Sequence, residues 1–184
     1  VNAPILPPSL VVRNDGTVLQ IATGFAFPFT IGGLPRIDVR MYDAHGFNVG
    51  VTYRGSERSA PWVTLYSLPG RPTDGLMDTF VDSEEELART HDDLVVVSRR
   101  RFAVAFEGGR RALGMQVEVR GRRALDLPDT VPVRAWLVLL QTGGHYLKLR
   151  ITCAEEHGRA GLRLLSDALR EGVRPFLAVA PEAS

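Results

Sequence analysis

Apolar and polar positions alternate most cleanly in the last third of the chain, where the pattern spells out a small module. Val133–Gln141 is apolar on nearly both faces, which predicts a strand in the interior of a sheet. Thr142-Gly143-Gly144-His145 predicts a turn. Tyr146–Cys153 alternates, with Leu147, Leu149 and Ile151 on one side and Tyr146, Lys148, Arg150 and Thr152 on the other. Leu162, Leu165, Leu169 and Val173 then recur at helical spacing. They predict a helix over 159–173 that packs on the Leu147/Leu149/Ile151 face. The same alternation puts Cys153 on the buried side, as a structural thiol.

Upstream, Leu10–Arg13 and Thr17–Ile21 flank Asn14-Asp15-Gly16, which tolerates the positive φ of a hairpin turn. Gly24–Leu34 is rich in phenylalanine but interrupted by Pro28, Gly32 and Gly33, so an irregular stretch or an edge strand is expected. Ile37–Tyr42, Phe47–Tyr53 and Trp62–Leu68 predict strands, with Phe47, Val49, Val51 and Tyr53 on one face. After a loop over 69–75, Asp82 with Glu85, or Ser83 with Glu86, forms a capping box, and Leu87 and Leu94 give the helix an apolar stripe. Leu94–Val97 also fits a strand. Phe102–Phe106 and Ala112–Val119 predict a hairpin around Gly108-Gly109, and 125–132 a loop. Strands, one helix, more strands and a final helix, without regular βαβ alternation, predict an antiparallel α+β fold.

Composition changes this picture little. The chain has 184 residues, 45% hydrophobic and 23% charged, with net charge +1. One domain over 10–178 is expected, and no global charge draws the chain to nucleic acid or anionic surfaces. Asn2-Ala3-Pro4 and Pro7-Pro8 read as an extended leader over 1–9. A signal peptide removed ahead of Val1 would explain that start, and so would trimming of a longer chain. A periplasmic or secreted location is expected, with the cytoplasm still open. No apolar run nears the roughly 20 residues of a membrane-spanning helix, and the single cysteine rules out an internal disulfide.

Charge is distributed unevenly. Eight carboxylates face one arginine between Asp74 and Asp93, a local balance of −7; eight arginines face Glu107 and Glu118 between Arg99 and Arg123, a balance of +6. The two stretches either neutralise each other within the molecule or form a surface for a charged partner. For the second case the candidate binding residues are Arg99, Arg101, Arg120 and Arg122, since arginine suits bidentate recognition of carboxylate or phosphate. Phe102 and Phe106 alternate inward, which argues against stacking on single-stranded nucleic acid.

No catalytic motif stands out. Gly109-x-x-x-x-Gly114 has phosphate-loop spacing, but Met115-Gln116 stand where Lys and Ser/Thr are needed. His45, His91, His145 and His157 lack paired-ligand spacing, so neither a metal nor a cofactor is expected. His91 with Asp92 and Asp93, and His157 with Glu155 and Glu156, fit exposed helix ends or turns.

Phe47-Asn48-Val49-Gly50-Val51-Thr52-Tyr53 with Trp62-Val63-Thr64-Leu65-Tyr66, a helix opening at Ser83-Glu84-Glu85, and Gly144-His145-Tyr146-Leu147-Lys148-Leu149-Arg150-Ile151-Thr152 with its helix resemble the PsbP-like family. The resemblance runs over 46–173. It implies an α/β/α sandwich, a mainly antiparallel sheet covered by helices. Its members are mostly binding or assembly proteins, and no family binding motif maps onto this chain.

The expectation is therefore a non-catalytic binding or assembly domain whose partner is another protein or an anionic ligand. Two alternatives make distinct structural demands. A carrier of an apolar or amphipathic ligand needs an elongated apolar cavity. A hydrolase-like enzyme, with scattered residues such as His91, Asp92 and His157, needs a deep pocket with converging polar groups.

Overall fold

A computed structural model describes residues 9–57, 60–70, 75–105, 111–123, 131–142 and 144–173. In these, β1 (Leu10–Val12), β2 (Val18–Gln20) and β3 (Ala26–Phe27) form a small antiparallel sheet. β4 (Thr30–Ile31), β5 (Leu34–Met41), β6 (Val49–Arg54) and β7 (Trp62–Pro69) precede α1 (Leu76–Ala88). β8 (Asp92–Ala105), β9 (Arg111–Arg123), β10 (Val131–Thr142) and β11 (His145–Ala154) follow, then α2 (Gly158–Asp167) and a π-helical turn, Ala168–Val173. The main sheet has the order β4-β5-β6-β7-β11-β10-β9-β8, with antiparallel neighbours throughout.

Both faces of this sheet are packed, though unequally. On one, Val49, Val51, Tyr53, Val63, Leu65, Leu147, Leu149, Ile151 and Cys153 meet Leu164, Leu165 and Ala168 of the terminal helix. Leu10, Val18, Phe25, Phe27 and Ile31 join the same core, so the small sheet helps α2 cover this face. On the other, Phe80 and Leu87 of α1 pack on Met115, Val117, Val119, Ala135, Leu137, Leu139 and Tyr146. The antiparallel α+β class predicted from the pattern is present, but strand dominates over helix. A simple three-layer α/β/α sandwich describes it only in part.

The widths explain why. Eight strands at about 4.8 Å spacing span roughly 34 Å, whereas a helix with its side chains is about 10–12 Å across. A single α1 therefore covers the β9–β10–β11 part of its face and leaves β6 and β7 open beside it.

The terminal module follows the predicted pattern, with two differences. Leu162 is 44% exposed, and the buried stripe of α2 is Gly161, Leu164, Leu165 and Ala168. The side chain of Val173 lies outside the described residues. Gly161 allows the close approach: a Cβ there would lie 2.5 Å from the Trp136 ring and 2.9 Å from Cys153 Sγ. Cys153 itself is fully buried, as its alternation predicted.

α1 departs from the prediction at its start. Its N-cap is Gly75, whose N–H donates to the Asp78 carboxylate at 3.2 Å, and Asp82 and Ser83 lie mid-helix. The apolar face begins at Leu76 and continues through Phe80 and Leu87, so packing rather than the Ser-Glu signature sets the boundary. Leu94 belongs to β8, not to the helix. Phe47 is 42% exposed and precedes β6, while Val49, Val51 and Tyr53 share the core face. Gly24–Leu34 carries β3, β4 and the first residue of β5, and β4 is the sheet edge. The Asp15-Gly16 hairpin is present, with Gly16 at φ 79°. The β8–β9 pairing is present too; Phe106 and Gly108-Gly109 lie outside the described residues. So do most residues of the 125–132 loop, from which Val131 and Pro132 join β10.

Candidate functional site

The four arginines singled out from the sequence do not converge. Arg99 and Arg101 pair across the ladder with Val117 and Met115, which lie under α1. Arg120 and Arg122 alternate with Val119 and so point to the other face. Arg99 Nε donates to Glu84 Oε1 of α1 at 2.8 Å, and Arg120 Nε meets Glu155 Oε1, just before α2, at 3.2 Å. Arg101 is exposed and Arg122 lies opposite Asp92. The compact four-arginine patch is not formed, and part of the acidic segment answers the basic one within the molecule.

The histidines are equally dispersed. His91 closes α1 on one face of the sheet, and His157 precedes α2 on the other. His91 is buried rather than exposed: Nδ1 lies 2.9 Å from Leu87 O. Burial, with the Arg150 and Arg123 charges nearby, pushes its pKa down to about 4. Among the described residues, no cluster of His, Cys, Asp or Glu has the arrangement of a metal site.

A different set of groups does converge, on the open half of the α1-side face. Thr52, Trp62, Thr64, Tyr66, Arg123, Arg150 and Thr152 line a depression of about 140 Å³. The ladder builds it row by row. Thr52 lies opposite Thr64, which lies opposite Arg150; Arg54 lies opposite Trp62, which lies opposite Thr152. Beyond β11 these rows continue into Leu137 and Ala135 beneath α1, which bounds the depression on that side.

Hydrogen-bond donors dominate this surface. The Arg54 and Arg123 guanidiniums lie over the Trp62 ring, 4.4 and 5.4 Å from its centroid. Arg150 donates through Nη2 to Thr90 Oγ1, which itself donates to Leu87 O at the end of α1. Arg150 Nε and Trp62 Nε1 are buried and have no acceptor among the described residues. A buried donor in that condition costs about 1–3 kcal/mol. Burial lowers the Arg150 pKa from its ordinary value and raises that of Tyr66 to about 12, so the Tyr66 hydroxyl keeps its proton at neutral pH. Lys148 sits over the Tyr66 ring at 4.5 Å and bonds Glu86 at 2.7 Å. No acidic residue is among those lining the depression.

An apolar groove of about 240 Å³ lies between α1 and β8, lined by Val81, Leu87, Ala88, Leu94, Val96 and Val119, with Glu84, Glu85 and Arg99 among its walls.

Sequence reasoning passed over Arg54, Arg123 and Arg150 as site residues. The signal lay in the polar side of 146–153 and its counterpart Trp62, Thr64, Tyr66, two polar faces in a sheet otherwise packed on both sides. Without the register, nothing tied them to Arg123.

No family model matches the sequence, and no curated protein matches it. The fold does have counterparts. The solution structure of cyanobacterial PsbP (CyanoP) from Synechocystis sp. PCC 6803 superposes with TM-score 0.50 at 13% identity, covering 94% of this chain and 95% of that one. The chain has a PsbP-like fold. A Pseudomonas aeruginosa protein of unknown function, PA94, gives TM-score 0.50 at 8% identity, covering 88% of this chain and 93% of that one. At such identities the PsbP-like likeness concerns the fold alone. Among the described residues no helix is long and apolar enough to cross a membrane.

Proposed function

We propose that this chain is a non-catalytic binding or assembly domain whose recognition surface is the open half of the α1-side sheet face. One observation carries the reading: the depression there presents guanidinium, indole and hydroxyl donors, and its lining holds no carboxylate, imidazole or thiol. Such a surface binds and orients a partner. It lacks a base to activate a nucleophile. His91 and His157 lie across the sheet from each other, which counts against the hydrolase alternative. The filled core, with Trp136 and Tyr53 fully buried, counts against an apolar carrier. The setting we propose is periplasmic or secreted; mass spectrometry of the native protein's N-terminus tests this, and an unprocessed initiator methionine would refute it.

The binding reading is tested by amide-resolved NMR against a library of charged and neutral small molecules and peptides. Saturable shifts clustered on Thr52, Trp62, Thr64, Tyr66, Arg150 and Thr152 support it. Saturable binding that maps to the opposite face or to α2 would assign recognition elsewhere.

A further inference from the structure

Resting on that binding reading, we infer that the Trp62–Arg150 depression is an oxyanion site, built for one carboxylate or phosphate group. Its size is the first indication. About 140 Å³ suits a single charged group rather than a whole drug-sized molecule. Its polarity is the second. Among the described residues, Arg150 Nε–H and Trp62 Nε1–H are both buried without an acceptor, on neighbouring strands, with Trp62 directly opposite Thr152 and Thr64 directly opposite Arg150. A carboxylate or phosphate oxygen is the acceptor that complements both N–H groups and the threonine hydroxyls around them. Charge is the third. Arg123 and Arg150 line the site and Arg54 stacks on its Trp62, while Glu86 beside it is bonded by Lys148.

The aromatic ring supports an anion and not a stacked base. Trp62 already carries the Arg54 and Arg123 guanidiniums over its ring, so its π-face serves as a shelf for them. Stacking fixes the plane of a guanidinium. Arg150 is fixed by other means, through Thr90 to the carbonyl end of α1. The donors are thus oriented before the ligand arrives, which lowers the cost of ordering on binding.

The chain carries its own reporter. Its two tryptophans are Trp62, in the site, and Trp136, fully buried on the α2 side of the sheet. The full chain, labelled with ¹⁵N, is titrated at constant ionic strength with inorganic phosphate, glutarate and a capped tri-glutamate peptide, with chloride and neutral glutaramide as controls. The expected result is a saturable shift of the Trp62 indole N–H with Trp136 unmoved. Affinity should fall at least tenfold in Arg123→Ala, at the sheet margin. A similar loss in Arg150→Lys, which keeps the charge but loses Nε–H, would assign the bond to that atom. Binding should also weaken as salt is raised. Preference for phosphate over glutarate indicates a small free anion; preference for the peptide indicates a carboxylate presented by a partner protein. An indole shift matched by chloride, or affinity unchanged in both variants, overturns the oxyanion assignment. Glutaramide binding as tightly as glutarate overturns it too, but leaves the face as a binding surface. Saturable binding mapped only to another surface removes both readings.

Discussion

Replacing Leu165 with alanine tests how α2 sits on the sheet. Leu165 is 4% exposed and packs within the core that includes Trp136, Leu147, Leu149, Ile151 and Cys153. Removing a leucine from such a site forfeits about 1.5–3 kcal/mol of burial, and the void raises the total to about 2–5 kcal/mol. Collapse into that void is limited on both sides. Gly161 already brings the helix against Trp136, and Leu164 lies close enough to Gly32 that a Cβ there would meet it at 2.6 Å. The upper half of the range is therefore expected. Leu162 is the matched control: it is 44% exposed on the same helix, and its truncation should cost no more than about 0.5–1 kcal/mol. Urea unfolding followed by circular dichroism, with the slope m unchanged, measures both. At about 2–4 °C per kcal/mol for a chain of this size, the Leu165 variant should melt roughly 7–20 °C lower. Equal losses at the two positions would mean that the helix is rotated, with the Leu162/Leu165/Leu169 stripe inward. A Leu165→Ala variant within error of the parent would refute the packing altogether.

Gly161→Ala should destabilise by about 1–2 kcal/mol although alanine is the better helix former by about 1 kcal/mol, because its Cβ must displace the Trp136 ring; a rise in melting temperature would contradict the contact. Burial pushes the Cys153 thiol up to about 11, so it should resist thiol reagents at pH 8 in the folded protein and react at the ordinary rate in urea; fast labelling of the native state would refute this. His91 is held neutral by a pKa near 4 against an ordinary 6.5. The unfolded chain therefore binds the proton first, and stability should be complete above about pH 6.5 and decline by up to about 3 kcal/mol as pH falls towards 4. His91→Gln should flatten that slope in melting temperatures from pH 4 to 7, and an unchanged slope would rule out His91 as its source.

Much of the fold was legible because strand alternation is local. Tyr146–Cys153 declared both of its faces, and the Asp15-Gly16 hairpin and the pairing of Phe102–Phe106 with Ala112–Val119 announced themselves, although the structure extends the latter to 92–105 and 111–123. α1 was misread at its start because Ser83-Glu84-Glu85-Glu86 looks like a helix beginning, while Phe80, buried against the sheet, extends the helix upstream. Leu162 was misread because helical spacing alone does not say which of two adjacent apolar stripes, Leu162/Leu165/Leu169 or Leu164/Leu165/Ala168, meets the sheet. The site was illegible for a different reason. Arg99, Arg101, Arg120 and Arg122 are close in sequence, yet alternation sends them to opposite faces. Arg54, Arg123 and Arg150 are far apart in sequence and meet at Trp62 or beside it through the strand order β6-β7-β11 and the inward reach of β9.

In β7, Trp62, Thr64 and Tyr66 point into the depression while the intervening Val63 and Leu65 point into the opposite core. Recognition and folding are thus written on alternate letters of the same strand. Inserting or deleting one residue there would exchange the two sets, turning indole and hydroxyls inward and valine and leucine outward. Descendants of this chain can therefore retune the depression by substitution, one position at a time, but not by changing the length of β7 or β11. Variation in length is confined to the loops at the strand ends, and anyone wishing to redirect the protein to a new ligand inherits the same grammar.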